Sequence, residues 1–331
     1  MVKIFGIGNA LVDIMTSLES DSLLETLNLP KGSMQIVNDK TIAKALEQTK
    51  GLKQSLASGG SAANTINGLA NLGMETAFVG KVGNDELGNF FRSDMQKAGI
   101  SPQLLLGKAS TGTALALVSP DSERTFAVNL GAAIEMTAED ITTSLFEGYN
   151  YFHIEGYLVQ NHSLIEKALK VAKASGLKVS LDLASYNVVE SNLDFLQRMV
   201  KEYVDIVFAN EEEAKAFTLK LPEEALDMLA EIAEIAVVKI GAKGSLIKKG
   251  NDKYSVGVVK ANAIDTTGAG DLYASGFLYG LSKNLPLDTC GRIGAVLSGK
   301  VIEVMGPKMD EETWKMLKVN IAKVETGELS F

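Results

Sequence analysis

Apolar and polar positions follow two rhythms along the chain. Up to about residue 130 the apolar runs are short and bounded by glycine or polar turns, which predicts strands. These are Lys3–Gly8, Leu11–Met15, Met34–Val37, Thr76–Gly80, Gln103–Leu106, Thr113–Val118 and Thr125–Leu130. Pro120–Glu123 supplies the turn between the last two. Helices are expected over Ser20–Leu27, from an Asp39 cap to Lys50, from Ser61 to Leu72, and from Asp85 to Ala98. After Ala132 the pattern becomes regular. Strands Tyr151–Glu155, Lys178–Asp182, Ile206–Ala209 and Val237–Ile240 alternate with helical stretches near 161–174, 191–202 and 211–230. Such alternation implies parallel βαβ units, hence an α/β fold with a mostly parallel central sheet covered by helices. Two further strands (Leu246–Lys249, Tyr254–Val259) and three helices (one opening near 266–268, then about Leu287–Val304 and Asp310–Val324) complete the reading.

Composition narrows the class. The chain has 331 residues, 46% hydrophobic, with net charge −9 and no cluster of Lys and Arg. That is a globular balance in which nucleic acid is not an expected partner. One cysteine, Cys290, excludes an internal disulfide and a cysteine-based zinc site. The opening Val2-Lys-Ile-Phe-Gly reads as a strand rather than a leader, and no apolar run has membrane-spanning length. The expectation is a cytoplasmic protein without a membrane partner. Low complexity, internal repeats and an obvious linker are all missing, so residues 1–331 read as one domain.

The strongest chemical stretch is Asp265-Thr-Thr-Gly-Ala-Gly-Asp271, followed by the apolar Leu272, Ala274, Phe277, Leu278 and Leu281. It reads as a loop opening a buried helix, with Thr266 and Thr267 as caps. Gly268, Ala269 and Gly270 bring free amides and the positive helix end toward a cleft, which makes an anion hole. Asp271 beside them is placed to take a proton from an attacking hydroxyl, the arrangement phosphoryl transfer needs. A plain turn with a dipole-complementing aspartate is the alternative. No G-x-x-x-x-G-K-[ST] segment occurs, so a P-loop is excluded. Gly6-Ile-Gly8 lacks the third glycine and the helix of a dinucleotide fingerprint. Asn9 and Asp13 lie near a strand's carboxyl end, either as turn and surface residues or as a pair suited to sugar hydroxyls. Asn210 and Glu213 suit both a helix cap and the water shell of Mg²⁺. Asp182 is either a cap or a group near phosphates. His153 and His162 lack partners for a triad or a metal site and read as structural.

The 265–271 stretch resembles the second signature of the ribokinase (pfkB) family of carbohydrate and nucleoside kinases. Gly59-Gly60-Ser-Ala-Ala-Asn64 with Gly80-Lys-Val-Gly83-Asn-Asp85-Glu-Leu-Gly88 looks like the first signature, and Asn210-Glu-Glu-Glu213 like the N-x-x-E magnesium motif. The motifs stand in family order over nearly the whole chain. The resemblance implies a ribokinase-like three-layer sandwich with a small β lid, built from insertions at about 14–38 and 110–131. It also implies ATP and Mg²⁺ as cofactors, with K⁺ near the Asp265 loop. By the same resemblance Gly59, Gly60 and Asn64 hold the acceptor, and Gly241 and Gly244 lie under ATP. Gly8-Asn9-Ala-Leu-Val-Asp13-Ile looks like the adenosine-kinase version of its segment, in which the Asp binds ribose hydroxyls. Arg124-Thr-Phe-Ala-Val-Asn-Leu resembles a stretch whose arginine meets phosphates. Glu155 looks like the glutamate that sugar kinases use on the sugar, while Tyr157 is placed to stack on a base. The implied activity is an ATP-dependent kinase acting on a nucleoside, with a ribokinase- or fructokinase-like sugar kinase and a non-catalytic nucleoside or sugar binder as alternatives. Monomer and homodimer both remain open.

Overall fold

The strand rhythm resolves into two sheets. The structure is a computed structural model that describes residues 2–121 and 123–329; Ser122, within the predicted Pro120–Glu123 turn, lies outside the described residues. Fourteen strands are described: β1 Lys3–Ile7, β2 Leu11–Ser17, β3 Met34–Ile36, β4 Gln54–Gly59, β5 Glu75–Val82, β6 Ile100–Leu106 and β7 Gly112–Val118. They continue as β8 Arg124–Asn129, β9 Tyr151–Glu155, β10 Lys178–Asp182, β11 Ile206–Asn210, β12 Ile235–Lys239, β13 Ser245–Lys249 and β14 Asp252–Val256. The large sheet runs β14-β13-β12-β11-β10-β9-β1-β5-β6, with β13 the one strand antiparallel to the rest. Helices cover both faces and bury two apolar clusters against it. This is the α/β sandwich expected from the βαβ alternation.

The second sheet, β3-β8-β7-β2-β4, forms the lid. It is wider than the segments 14–38 and 110–131, because it begins at Leu11 and includes β4. That strand escaped the hydrophobic reading because Gln54-Ser-Leu-Ala-Ser-Gly59 is largely polar and lies at an exposed edge. Gly59 therefore closes a strand rather than sitting in a loop.

Several local expectations change. The helical stretch near 211–230 is two helices, Glu211–Thr218 and Pro222–Ile232, because Leu219 adopts φ 60° and Pro222 opens the second. Asn38, not Asp39, caps the helix Asp39–Thr49, its side chain accepting from Thr41 N. Thr266 and Thr267 do not cap the helix Ala269–Ser282; its N-cap is Gly268 at φ 77°.

Register places the chemistry. β9, β10, β11 and β12 are adjacent and parallel, with Glu155 opposite Asp182 and Asn210 opposite Lys239. Four neighbouring strands thus end at one edge in Glu155, Asp182, Asn210 and Lys239. Ligands in open α/β sheets bind outside that carboxyl edge.

Candidate active site

A cleft of about 1820 Å³ lies between that edge and the lid. Asp271 lines it from the first turn of Ala269–Ser282. Ser61 Oγ donates to its Oδ1 at 2.7 Å and Asn64 Nδ2 to its Oδ2 at 2.9 Å. Both donors come from the start of the helix Ser61–Asn71, so the two glycine-rich motifs meet at one carboxylate. Desolvation pushes the Asp271 carboxyl up to about 6, with Asn64 and Ser61 pulling the other way. It is therefore ionised at neutral pH yet basic enough to accept a proton.

The amides of Gly268, Gly270 and Asp271 find no acceptor among the described residues, whereas Ala269 N donates to Thr266 O at 3.2 Å. The unpaired amides at this helix start are thus those of Gly268, Gly270 and Asp271, while Ala269 N closes the turn.

Asp13 faces the cleft from β2. Burial pushes its carboxyl up to about 7, with Lys308 opposing. A side chain on Gly59 would collide with that carboxylate, and one on Gly60 (φ 103°) with the Asn9 carbonyl. The glycine pair therefore lets β2 and β4 meet closely beside Asp13. Asn64 Oδ1 is buried without a partner among the described residues.

Glu155 is engaged within the protein. It is 1% exposed. Oε1 accepts from Asn9 N at 2.9 Å and from Asn9 Nδ2 at 2.7 Å, and Oε2 accepts from Ala62 N at 2.8 Å. It clamps the β1–β2 turn to the helix Ser61–Asn71, taking the backbone N–H and the Nδ2 of Asn9. Tyr157 lines the cleft at the turn that follows.

Asn210 and Glu213 form a capping box: Asn210 N and Nδ2 donate to the Glu213 carboxylate at 2.8 and 2.7 Å, and Glu213 N donates back to Asn210 Oδ1. Burial and then Asp182 push the Glu213 carboxyl up. Among the described residues no three of His, Cys, Asp and Glu converge to ligate a metal directly. Gly241 and Gly244 flank the short helical turn after β12 and line the same cleft.

Arg124 is paired with Asp265 and donates to Thr267 Oγ1 at 3.2 Å. The Asp265 carboxylate also accepts from Thr267 N and Gly306 N, both at 2.7 Å. Burial would raise its pKa, but Arg124 and those amides hold it below the usual range. Three donors thus occupy the Asp265 carboxylate: Thr267 N on Oδ1, and Gly306 N with Arg124 on Oδ2.

Two further residues reach the site. Ser61, inside the Gly59–Asn64 glycine motif, holds Asp271. Lys239 ends β12 with Nζ 2.8 Å from Asp182 Oδ2. Its signal was legible: a lysine at the carboxyl end of an otherwise apolar strand, Ile235-Ala-Val-Val-Lys239. His153 is fully buried against Ser180 Oγ, and His162 stacks on Phe195 at 3.8 Å. Among the described residues no helix is long and apolar enough to cross a membrane.

Residues 33–314 match the family described as pfkB family carbohydrate kinase. The chain belongs to that family. This pfkB kinase is therefore a phosphotransferase with an alcohol group as acceptor. It is 32% identical to an adenosine kinase from Sinorhizobium meliloti, with a TM-score of 0.84 over 96% of this chain and 99% of that one. It is 31% identical to a probable sugar kinase from Rhizobium etli, with a TM-score of 0.85 over 96% and 98%. It is also 29% identical to a 5-dehydro-2-deoxygluconokinase from Lacticaseibacillus casei, over 86% of this chain and 92% of that one. Relatives of both acceptor classes thus stand at similar distance.

Proposed function

We propose that this pfkB kinase transfers the γ-phosphoryl group of ATP to a primary hydroxyl of an adenosine-like nucleoside. The lid face over the cleft carries this reading. Sheet pairing sets Asp13, Ala114, Val128 and Ile36 in one row across four strands, with Phe126 and Met34 paired in the next. Apart from Asp13 every one of these cleft-lining side chains is apolar. An acceptor that meets this face needs a hydroxyl-bearing end at Asp13 and an apolar, flat end farther out, which describes a nucleoside better than a free sugar. Glu155, the residue that spoke for a sugar, already has both oxygens engaged.

In this reading Asp271 accepts the proton of the attacking hydroxyl. Free amides at Gly268, Gly270 and Asp271 hold the charge of the transferring group. Asp13 and Asn64 hold the ribose hydroxyls, shaped by Gly59, Gly60 and Asn9. Tyr157 faces the base, Gly241 and Gly244 support ATP, and Arg124 lies at the lid side of the phosphates. Asp182, Glu213 and Asp271 put excess negative charge beside one lysine, which favours a hydrated divalent cation held through its waters. Asn210 and Glu213 would hold Mg²⁺ through its waters, and the ion would supply charge neutralisation to the phosphates.

A sugar acceptor is the second reading, favoured by the two sugar-kinase relatives. The deciding experiment measures kcat/KM in ADP formation with Mg·ATP against adenosine, other nucleosides, ribose, fructose and 5-dehydro-2-deoxygluconate. A nucleoside preferred by at least about a hundredfold supports the proposal. A free sugar preferred by that margin overturns it.

A further inference from the structure

We propose that Lys239 is a further catalytic residue of this kinase, gripping a non-bridging oxygen of the γ-phosphoryl group as it is transferred. Three observations meet at its ammonium. First, it lies on the cleft floor, at the carboxyl end of β12. Second, it abuts the anion hole: a Cβ built on Gly270 would stand 3.0 Å from Lys239 Nζ. Third, its hydrogen bonding is incomplete. Asp182 Oδ2, at 2.8 Å, is its one partner among the described residues, and an ammonium carries three protons.

The charges around it point the same way. Asp182 pairs with it, and the charges of Glu213 and Asp271 also stabilise its ammonium form. The other lysine lining the cleft, Lys260, is exposed. Arg124 is paired to Asp265. Lys239 is therefore the cation already seated where phosphoryl charge will lie, next to the amides of Gly270 and Asp271. Asp182 holds it there before nucleotide arrives, so little reorganisation is needed. A phosphoryl transition state spreads charge over its equatorial oxygens, and a compact ammonium on a fixed tether is suited to one of them.

The step balances without a proton from Lys239. The acceptor oxygen forms a bond to the γ-phosphorus, and the bond from that phosphorus to the bridging oxygen breaks. Its electron pair leaves with ADP, and the acceptor's proton goes to Asp271. Lys239 keeps its three protons and directs one not bonded to Asp182 at the transferring group.

This inference rests on the helix start being the anion hole for the γ-phosphoryl group, so the test must separate the two. Titration of Mg·ADP and of Mg with the non-hydrolysable imido analogue of ATP reads the γ-phosphoryl contact directly. In Lys239→Gln the imido analogue is expected to bind about ten- to a hundredfold more weakly while ADP stays within about twofold. The kcat should fall by at least about a hundredfold with the acceptor KM unchanged, and Lys239→Arg should recover part of it. If both nucleotides weaken equally, or neither does, Lys239 is only the counter-ion of Asp182 and the proposal fails. The double variant Lys239→Gln with Asp182→Asn covers the case in which the single variant does not fold. It removes the buried pair, and the proposal requires that discrimination against the imido analogue persist in it. Recovered affinity for the analogue would overturn the proposal. Failure of the underlying reading shows elsewhere, as an unchanged kcat in Asp271→Asn.

Discussion

The Asn64 side-chain amide donates to the Asp271 carboxylate at 2.9 Å, across 207 positions of the chain. With Ser61 Oγ on the other oxygen, it fixes the direction in which Asp271 presents its charge. Both donors favour the ionised form, so losing them raises the carboxyl above about 6. A general base must be unprotonated, so kcat should rise with pH through about 6 and then level. Asn64→Ala and Ser61→Ala should each shift that acid limb to higher pH, with kcat at neutral pH lowered by about tenfold. A pH–rate profile checks both points; an unshifted limb would mean that these donors do not tune the base.

Stability should respond to pH in the opposite sense from most proteins. Burial or partial burial raises the carboxyl groups of Asp13 and Glu155 to about 7, that of Asp271 to about 6, and that of Glu213 as well. A raised carboxyl binds its proton in the folded chain at a pH where the unfolded chain has lost it. Folding is then favoured at low pH, and the advantage is lost as pH rises from about 4 to about 7. His153, lowered to about 4 by burial, opposes this below 6.5, but it is one group against four. The thermal midpoint without nucleotide should therefore be higher at pH 5.5 than at pH 8. A midpoint that climbs steadily with pH over this range would contradict the electrostatics.

Glu155→Gln separates a clamp from a sugar ligand. The carboxylate accepts three N–H groups, and an amide cannot accept on both of its ends. The variant should lose about 1–3 kcal/mol of stability, seen as a lower thermal midpoint. A sugar-binding glutamate would instead raise the acceptor KM with the midpoint unchanged.

The apolar lid row is tested at Val128 and Phe126. Val128→Asp or Phe126→Ala should raise the nucleoside KM by about tenfold or more while the ATP KM holds. Equal effects on both substrates would place the acceptor elsewhere in the cleft.

Much of this was readable in the sequence because local rules and the final fold agree. The βαβ alternation after Ala132 implies the parallel sheet, and Asp265–Asp271 marks the opening of the helix that carries Asp271. What stayed hidden depends on partners far apart in the chain. Nothing local to Glu155 says that Asn9 and Ala62 will occupy it, 146 and 93 positions away. Nothing near Lys239 announces Asp182 or Gly270. β4 was missed because a lid edge strand keeps polar residues outward, and Leu219 broke a helix whose hydrophobic period continues through it.

The most direct test of the account measures kcat and nucleoside affinity in Asp271→Asn at saturating Mg·ATP. The amide keeps the shape of the site but cannot take the proton. The account predicts a kcat lower by about two to four orders of magnitude, with the nucleoside dissociation constant within about threefold. A kcat close to that of the unaltered protein would contradict it, because the proton of the acceptor hydroxyl would then have to leave by another route.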